Sequence, residues 1–216
     1  MGLPKIASYE LPFVAQIPLA RAKWAFDPDR AALLIHDMQN YFVGAFQPDA
    51  SPITPVITNI ARLKTAAVTA GMPVFYTAQN GNQDRRDRGL QADLWGPGMT
   101  MMPEHQPIID LLRPAADDIV LVKHRYSAFQ QSNLADLMRV RGRDQIVISG
   151  IYAHIGCLMT AGEAFQRDIK PFFAADAVAD FSREQHDMAL SYVAATCGIP
   201  LSAEALACAM NGRANA

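Results

Sequence analysis

The chain has 216 residues, of which 50% are hydrophobic and 19% are charged. This is enough apolar material for one substantial core, so we expect a single domain over residues 1–216, with residues 1–25 as an extended amino-terminal arm. The net charge of −2, from 19 basic and 21 acidic residues, gives no electrostatic reason to expect nucleic acid or an anionic membrane as a partner. No run of about 18 apolar residues predicts a membrane span.

The cysteines and histidines follow no pattern typical of a disulfide framework or a metal site. Cys157, Cys197 and Cys208 are odd in number and contain no C-x-x-C pair. The five histidines lack the short spacings that place two imidazoles on one metal. Prolines interrupt the amino terminus before an apolar run long enough for a secretory signal can form. We predict a cytoplasmic protein without a metal site.

Short β-rich runs alternate with segments of helical period from residue 31 onward. This alternation is typical of βαβ units and of a parallel sheet that is buried on both faces. It predicts an α/β protein with three α/β/α layers around a six-stranded, mainly parallel, doubly wound sheet. The predicted strands are residues 31–36, 73–78, 118–123, 144–150, 170–177 and 198–202, and the predicted helical segments are residues 55–71, 132–144, 156–168 and 182–198.

Residues 79–104 interrupt this alternation. The segment is rich in charge, glycine and proline and is longer than an ordinary connection. Loops of this kind often carry binding residues, so we expect this one to contribute to a ligand site. The only segment predicted to be flexible is the tail, residues 211–216.

Polar side chains follow the predicted strands at the edge where an open parallel sheet forms its ligand crevice. Asp37 follows the first strand, Gln79 the second and Lys123 the third, while Tyr152 and His154 follow the fourth. Asp37 and Lys123 could form a plain ion pair, but their strand-end position favours a catalytic role. A substrate anion that binds Lys123 would leave Asp37 able to hold a proton and act as a general acid.

Six motifs in the chain resemble the isochorismatase family: ALLIHDMQNYF, YTAQ, DLWGPGM, VKHRYSAF, GIYAHIGC and RDIKPFFAADAVADFS. The resemblance covers nearly the whole chain. It implies hydrolysis of the vinyl ether of isochorismate to 2,3-dihydro-2,3-dihydroxybenzoate and pyruvate, without a cofactor, as in siderophore biosynthesis. Members that act on 2-amino-2-deoxyisochorismate in phenazine biosynthesis are a near alternative. A third alternative is an inactive family member that docks to a carrier protein or a synthetase.

The resemblance also implies roles for individual residues. Asp37 would protonate the enol carbon, and Lys123 would hold both Asp37 and a substrate carboxylate. Arg88 would pair with anionic groups of the substrate, and Gln79 would contribute hydrogen bonds. Without the motif match, Arg88 would be interpreted as a solvated charge. The aromatic walls of the pocket would be Trp95, Tyr152 and Phe42.

Cys157 invites a different interpretation, because the wider superfamily includes amidohydrolases with a nucleophilic cysteine six residues after the strand-end glycine. Counted from Gly150, that position is Gly156, and Cys157 comes one residue later. A shift of one residue turns a side chain by about 100° around a helix axis. We therefore interpret Cys157 as a buried packing residue that faces away from Asp37, and Gly156 as the open slot for substrate and water.

Further expectations follow from the same resemblance. The peptide bond between Ile151 and Tyr152 is expected to be cis. His124 stands where siderophore members usually carry tryptophan, so we make no prediction for the pocket lining near the third strand. We expect a homodimer. Because the sequence stops at Ala216, no carrier domain is expected, and an aryl carrier protein would be a separate partner.

Overall fold

Six parallel strands form one sheet in the computed structural model, which describes residues 3–212. Each predicted strand is present to within two residues at either end. Every strand pair is parallel, so the sheet is more uniform than the mainly parallel one that was predicted. The strands are β1 (Ala31–His36), β2 (Val74–Ala78), β3 (Ile119–Val122), β4 (Gln145–Ile151), β5 (Lys170–Ala179) and β6 (Ile199–Leu201).

The strand order β3-β2-β1-β4-β5-β6 places β1 and β4 side by side at the centre of the sheet. The winding direction reverses between them, and this switch point is where open α/β sheets form their ligand crevice. His36, the last residue of β1, pairs with Thr77 on one side and with Gly150 on the other. The segments that follow β1, β2 and β4 therefore emerge together at one edge.

The central strands are buried on both faces. All residues of β1 and β4 are buried, as expected for a parallel sheet with helices on each side. Successive side chains of a strand point to opposite faces. Accordingly, Leu33 and Ile35 belong to one hydrophobic cluster, and Ala32 and Leu34 to the other. This confirms the three-layer arrangement.

Helices cover both faces of the sheet. They are α1 (Asn40–Val43), α2 (Ile53–Thr69), α3 (Arg85–Arg88), α4 (Gln91–Trp95), α5 (Leu134–Val140), α6 (Leu158–Gln166), α7 (Arg183–Thr196) and α8 (Ala203–Asn211). α2 and α8 pack on the face that carries Leu33 and Ile35. α5, α6 and α7 pack on the face that carries Ala32 and Leu34.

The four predicted helical segments are present, but other helices were missed. The prediction stopped at the sixth strand and omitted α8, although Ser202 caps this helix by accepting a hydrogen bond from the N–H of Ala205. The long loop at residues 79–104 contains α3 and α4, which are too short to show a period. The segment predicted from residue 156 starts earlier, in a π-helical turn at Ala153–Cys157 that leads into α6.

The amino-terminal arm lies extended along the domain, apart from a 3₁₀ turn at Val14–Gln16. The N–H of Ile6 donates to the carbonyl of Ala45 (2.8 Å), and the hydroxyl of Tyr9 accepts from the N–H of Asp180 (2.8 Å). Most of the tail that was predicted to be flexible, residues 213–216, lies outside the described residues. Within residues 3–212, no helix has both the length and the apolarity that a membrane crossing requires.

The packing of α2 on the sheet gives a stability prediction. Leu63 is fully buried in α2. Leu63→Ala should lower the free energy of unfolding by about 2–5 kcal/mol, because it removes apolar burial and leaves a cavity. Urea denaturation followed by circular dichroism measures this. The control Val68→Ala, at a position 57% exposed on the same helix, should change it by less than about 0.5 kcal/mol. Equal effects of the two substitutions would contradict the packing.

Candidate active site

A pocket at the carboxyl edge of the sheet contains all eight residues predicted for the site. It encloses ≈ 620 Å³ of space between atoms, counting its open mouth. The structure brings these residues together, and their chemical roles stay predictions. The eight residues are Asp37, Phe42, Gln79, Arg88, Trp95, Lys123, Tyr152 and Gly156.

A buried ion pair forms the polar floor of the pocket. Lys123 Nζ lies 2.6 Å from Asp37 Oδ2, and the two side chains are only 4% and 7% exposed. The other carboxylate oxygen, Oδ1, accepts a hydrogen bond of 2.7 Å from the hydroxyl of Thr77. Asp37 has a φ of +52° directly after β1, a left-handed conformation that aspartate tolerates better than most residues. Both oxygens of Asp37 are therefore held by donors from neighbouring strands.

The surroundings of Asp37 decide its charge in the free protein. Burial alone would raise the pKa of Asp37. The charge of Lys123, with hydrogen bonds from Lys123 and Thr77, outweighs burial and holds the pKa below its usual value. His36 Nδ1 lies 3.6 Å from Asp37 Oδ2, but burial lowers the pKa of His36 to about 4, so this ring is neutral at pH 7. At pH 7 the pocket therefore holds Asp37 as a carboxylate.

Arg88 is a buried cation without a carboxylate partner. Its side chain comes from α3 in the long loop, and the residue is 5% exposed. Its Nε donates to the carbonyl of Gly96 (3.1 Å), and its Nη1 lies 3.5 Å from Gln79 Oε1. Among residues 3–212, the guanidinium forms no ion pair. A buried charge is costly unless it is paired, so this side chain is well suited to an anionic ligand.

Aromatic rings form the opposite wall of the pocket. Trp95 Nε1 donates to the hydroxyl of Tyr126 (2.7 Å). The ring of Phe181 lies between Tyr152 and Trp95, with centroid distances of 4.4 Å and 6.0 Å. The hydroxyl of Tyr152 donates to the backbone carbonyl of Phe42 (3.0 Å). Because these polar atoms are already partnered, the wall offers mainly apolar surface to a ligand.

Gly156 and Cys157 occupy different environments. Gly156, in the π-helical turn, lines the pocket, but the prediction of an open slot there was wrong: the buried ring of His36 fills the space into which a side chain at this position would project. Cys157 is fully buried and packs in the hydrophobic cluster that contains Ala32 and Leu34. Burial raises the pKa of its thiol, which disfavours the thiolate that a nucleophile requires. Cys157 is buried in the apolar core, as predicted; that it takes no part in the reaction stays a prediction.

The backbone around the site agrees with another expectation and explains how Gln79 is held. The peptide bond between Ile151 and Tyr152 is cis, as expected from the family resemblance. The N–H of Gln79 donates to Gln39 Oε1 (2.7 Å), and Gln39 Nε2 donates to the carbonyl of Gln79 (2.9 Å). The amide of Gln39 therefore fixes the point at which the chain leaves β2 and enters the long loop.

The long loop contributes to the lining of the pocket, for example with Arg88, Gln91 and Trp95, and its predicted role in binding a ligand stays a prediction. Its two ends meet where the N–H of Asn82 donates to the carbonyl of Met99 (2.8 Å). Gln91 Nε2 donates to the carbonyl of His124 (2.7 Å), which ties the loop to the segment after β3. His124 itself is not among the lining residues, so its replacement of tryptophan does not alter the lining directly.

Several residues of the site were not predicted. Thr77 was missed, although the pairing of β1 with β2 places it beside Asp37. Tyr126 follows Lys123 by three residues and was noted among the polar residues at the strand ends, but no role was assigned to it; Phe181, which follows β5, was missed. Other lining residues, such as Tyr41 and Met99, carry no sequence signal that separates them from packing residues.

His154 follows β4 but lies outside the pocket lining. Its Nδ1 is 2.6 Å from Asp180 Oδ1, and its N–H donates to Asp180 Oδ2 (2.6 Å). This pair joins the start of the π-helical turn to the end of β5. Its geometry fits a structural role.

Comparison with known proteins identifies the family. The family profile described as "Isochorismatase domain" matches residues 31–205. The chain belongs to the isochorismatase family. It is therefore a hydrolase, in agreement with the sequence motifs.

Individual isochorismatase-family relatives are similar over most of the chain. Over 206 residues, it is 53% identical to an isochorismatase from Bacillus subtilis and 51% identical to enterobactin synthase component B from Escherichia coli, covering 95% of this chain. The matches span 66% and 72% of those two proteins. Phenazine biosynthesis protein PhzD from Pseudomonas fluorescens is 44% identical over 203 residues, covering 94% of this chain and 97% of that protein.

A solved structure supports the fold of this isochorismatase-family chain. A cysteine hydrolase from Pseudomonas syringae pv. phaseolicola superposes with a TM-score of 0.80, covering 90% of this chain and 98% of that one. The sequence identity is 23%, so this likeness bears on the fold alone. The parallel α/β architecture is thus shared with a structure whose sequence is much more distant.

The buried ion pair gives a prediction for pH-dependent stability. Lys123→Met should lower the free energy of unfolding at pH 7 by about 3–5 kcal/mol, because it leaves a buried carboxylate without its cation. In this variant the pKa of Asp37 should rise above its usual value, since burial is no longer opposed by Lys123. The loss relative to wild type should then shrink as the pH falls from about 7 toward about 4, because the variant's carboxyl takes up a proton first.

Urea denaturation across this pH range measures the effect. In the wild type, the lowered pKa of Asp37 stabilises the fold above the usual carboxyl range, and this contribution disappears only as the pH falls through the lowered value. Lys5→Met, at an exposed position, is the control and should change stability by less than about 0.5 kcal/mol. A loss for Lys123→Met that is independent of pH would contradict the proposed charge state.

Proposed function

We propose that this protein hydrolyses the vinyl ether of isochorismate to 2,3-dihydro-2,3-dihydroxybenzoate and pyruvate, with Asp37 as general acid and without a cysteine nucleophile. The observation that carries the proposal is the buried pair of Asp37 and Lys123 in the same pocket as the unpaired cation of Arg88. This combination is suited to an anionic substrate that reacts by proton transfer.

The charges of the pocket are complementary to a dicarboxylate. Isochorismate carries one carboxylate on its ring and another on its enolpyruvyl side chain. The guanidinium of Arg88 can hold a carboxylate through two parallel hydrogen bonds. The ammonium group of Lys123 can contact the second carboxylate without leaving Asp37, because it has three donors. The aromatic wall would pack against the ring.

Substrate binding would convert Asp37 from a carboxylate to an acid. In the empty pocket its pKa lies below the usual value because Lys123 and Thr77 stabilise the charge. Two substrate carboxylates bring negative charge into the same buried space and compete for Lys123. Both effects raise the pKa of Asp37, so a proton is taken up with the substrate.

The reaction then proceeds by protonation of carbon. Asp37 gives its proton to the terminal methylene of the enol ether, which becomes a methyl group and leaves an oxocarbenium ion. Water attacks the cationic carbon and loses a proton to the Asp37 carboxylate, forming a hemiketal. The carbon–oxygen bond to the ring then breaks as the ring oxygen takes a proton from the Asp37 carboxyl and the hemiketal hydroxyl returns one to it, which releases pyruvate and the ring alcohol. One water is consumed, and Asp37 ends protonated, as it began.

Hydrolysis of 2-amino-2-deoxyisochorismate is the second candidate. It is supported by the 44% identity to phenazine biosynthesis protein PhzD. The two substrates share the enolpyruvyl ether and differ at one ring substituent, so the same proton transfer serves both. An inactive docking role is less well supported, because Asp37, Lys123, Gln79 and Arg88 are all present in one pocket.

Partners and location follow the proposed activity. The homodimer, the separate aryl carrier protein and the cytoplasmic location stay predictions. So do the absence of a cofactor and of a metal. In the described part of the chain, no three His, Cys, Asp or Glu side chains are grouped as metal ligands.

Two substitutions separate acid catalysis from thiol catalysis. Asp37→Asn should reduce pyruvate release by about 10²–10⁴-fold, because the amide cannot donate the required proton. Cys157→Ala should retain activity within about threefold, because this side chain only packs in the core. Pyruvate release from isochorismate and from 2-amino-2-deoxyisochorismate is measured by coupling to lactate dehydrogenase. Ammonia release from nicotinamide tests the amidase alternative.

Folding must be controlled in both variants, so their thermal unfolding midpoints are measured alongside the rates. Loss of activity in folded Cys157→Ala, with activity retained in Asp37→Asn, would reverse the assignment. Ammonia release without pyruvate release would exclude the proposed reaction. The ratio of kcat/KM for the two vinyl ethers identifies the preferred substrate.

Proton uptake with the substrate predicts a specific pH profile. The value of kcat/KM reports ionisation in the free enzyme, whereas kcat reports it in the complex. Because the pKa of Asp37 is lowered in the free protein, kcat/KM should fall about tenfold per pH unit between about pH 5 and 8. By contrast, kcat should stay level to a higher pH. Coincident profiles for kcat and kcat/KM would contradict a substrate-induced rise in the pKa of Asp37.

A further inference from the structure

The imidazole of His36 fills the space into which a side chain at position 156 would project. A Cβ atom built on Gly156 would overlap His36 Cε1, and it would lie 3.0 Å from each ring nitrogen. His36 has no exposed surface, and it is the last residue of β1, directly before Asp37. Any residue larger than glycine at position 156 therefore requires this buried ring to move.

Hydrogen bonds restrict such a movement. His36 Nδ1 lies 3.1 Å from the carbonyl of Ile151. A carbonyl can only accept, so Nδ1 carries the proton of the neutral ring. Nε2 lies 3.4 Å from the hydroxyl oxygen of Thr160, but the proton of this hydroxyl is donated to the carbonyl of Gly156 (2.6 Å), so with the ring proton on Nδ1 this is a packing contact and not a hydrogen bond. The ring of His36 is thus held against the π-helical turn that contains Gly156.

The same ring also faces the acid of the site. The protonated Nδ1 lies 3.6 Å from Asp37 Oδ2, which is beyond a good hydrogen bond but close enough for its N–H dipole to stabilise the carboxylate. Lys123 and Thr77 also bond to Asp37, and the buried Tyr152 hydroxyl and Cys157 thiol lie close enough to interact with its charge. Because the ring is neutral at pH 7, it does not replace Lys123 as the counter-ion.

We propose that His36 is a specificity-determining and positioning residue: its ring occupies the space into which a side chain at position 156 would project, and so excludes a nucleophile beside Asp37. The choice between acid catalysis and nucleophilic catalysis is thereby set from inside β1, by a residue that does not line the pocket. This inference rests on the proposed function for the reaction that is measured.

The test is the effect of Gly156→Ala in two backgrounds. In the wild-type background, the added methyl collides with His36 and should lower kcat at least about 10-fold, with a fall in the thermal unfolding midpoint. In the His36→Ala background, the same methyl enters vacated space and should change kcat by less than about threefold. The difference between the effects of Gly156→Ala on kcat in the two backgrounds corresponds to a coupling free energy between positions 36 and 156. Its size falls within the range measured for residues in contact. Gly162→Ala in α6, where nothing lies within 4 Å of the added Cβ, is the control and should leave kcat unchanged.

A pH profile distinguishes positioning from simple packing. His36→Ala removes an N–H near the Asp37 carboxylate, so the pKa of Asp37 should rise. The fall of kcat/KM should then begin at a higher pH than in wild type, whereas a residue that only packs would lower kcat without this shift. An unchanged pH profile would overturn the positioning role.

The remaining outcomes separate this inference from the proposed function. If wild type releases no pyruvate from either vinyl ether, the proposed function fails, while unfolding midpoints of the four proteins in the cycle still test the steric coupling. The steric role is overturned if Gly156→Ala is as active and stable as wild type. It is also overturned if the methyl is equally harmful in both backgrounds, including the case in which neither variant folds.

Discussion

The ion pair between Lys123 and Asp37 is the interaction on which the site depends. A carboxylate that is 7% exposed would be too costly to bury without a cation and hydrogen-bond donors. The sheet order β3-β2-β1 supplies them, because Lys123 follows β3, Thr77 lies in β2 and Asp37 follows β1. Three adjacent strands thus place the cation, the hydroxyl donor and the acid at one edge of the sheet. The ion pair therefore forms only when these strands are paired correctly.

The residues of the pocket come partly from the rigid sheet and partly from the long loop, and the two groups are suited to different roles. The strands hold the reacting carboxyl, where precise placement matters most. Arg88 and Trp95 come from the long loop, where the anion and the ring of a substrate would be recognised. Arg88 has no carboxylate partner among the described residues, so its buried charge is compensated only when a ligand is bound. Binding energy from this remote cation is therefore available to offset the uptake of a proton by Asp37.

How far the site can be predicted from the sequence depends on where each residue lies. Asp37, Gln79 and Lys123 could be predicted because they follow strands, and parallel strands end at a common edge. Arg88 and Trp95 required the family resemblance, since no periodicity places a side chain of an irregular loop. Thr77 and His36 were missed because they lie within strands, where a polar residue is indistinguishable from packing until the register is known. The fold was predictable because hydrophobic periodicity indicates which residues of each strand and helix are buried. It does not indicate which polar atoms contact one another in the site.

The position of His36 shows how one scaffold can be restricted to one type of chemistry. Asp37 and Lys123 would serve equally well to deprotonate a thiol beside them, so the acid and the cation alone do not select the reaction. The type of reaction is selected by the space available for a side chain at position 156. With His36 in place, a side chain at position 156 has no room, and Cys157 lies in the core with a raised thiol pKa. Under the proposed function, the carboxyl of Asp37 then acts on the ligand directly, by giving it a proton.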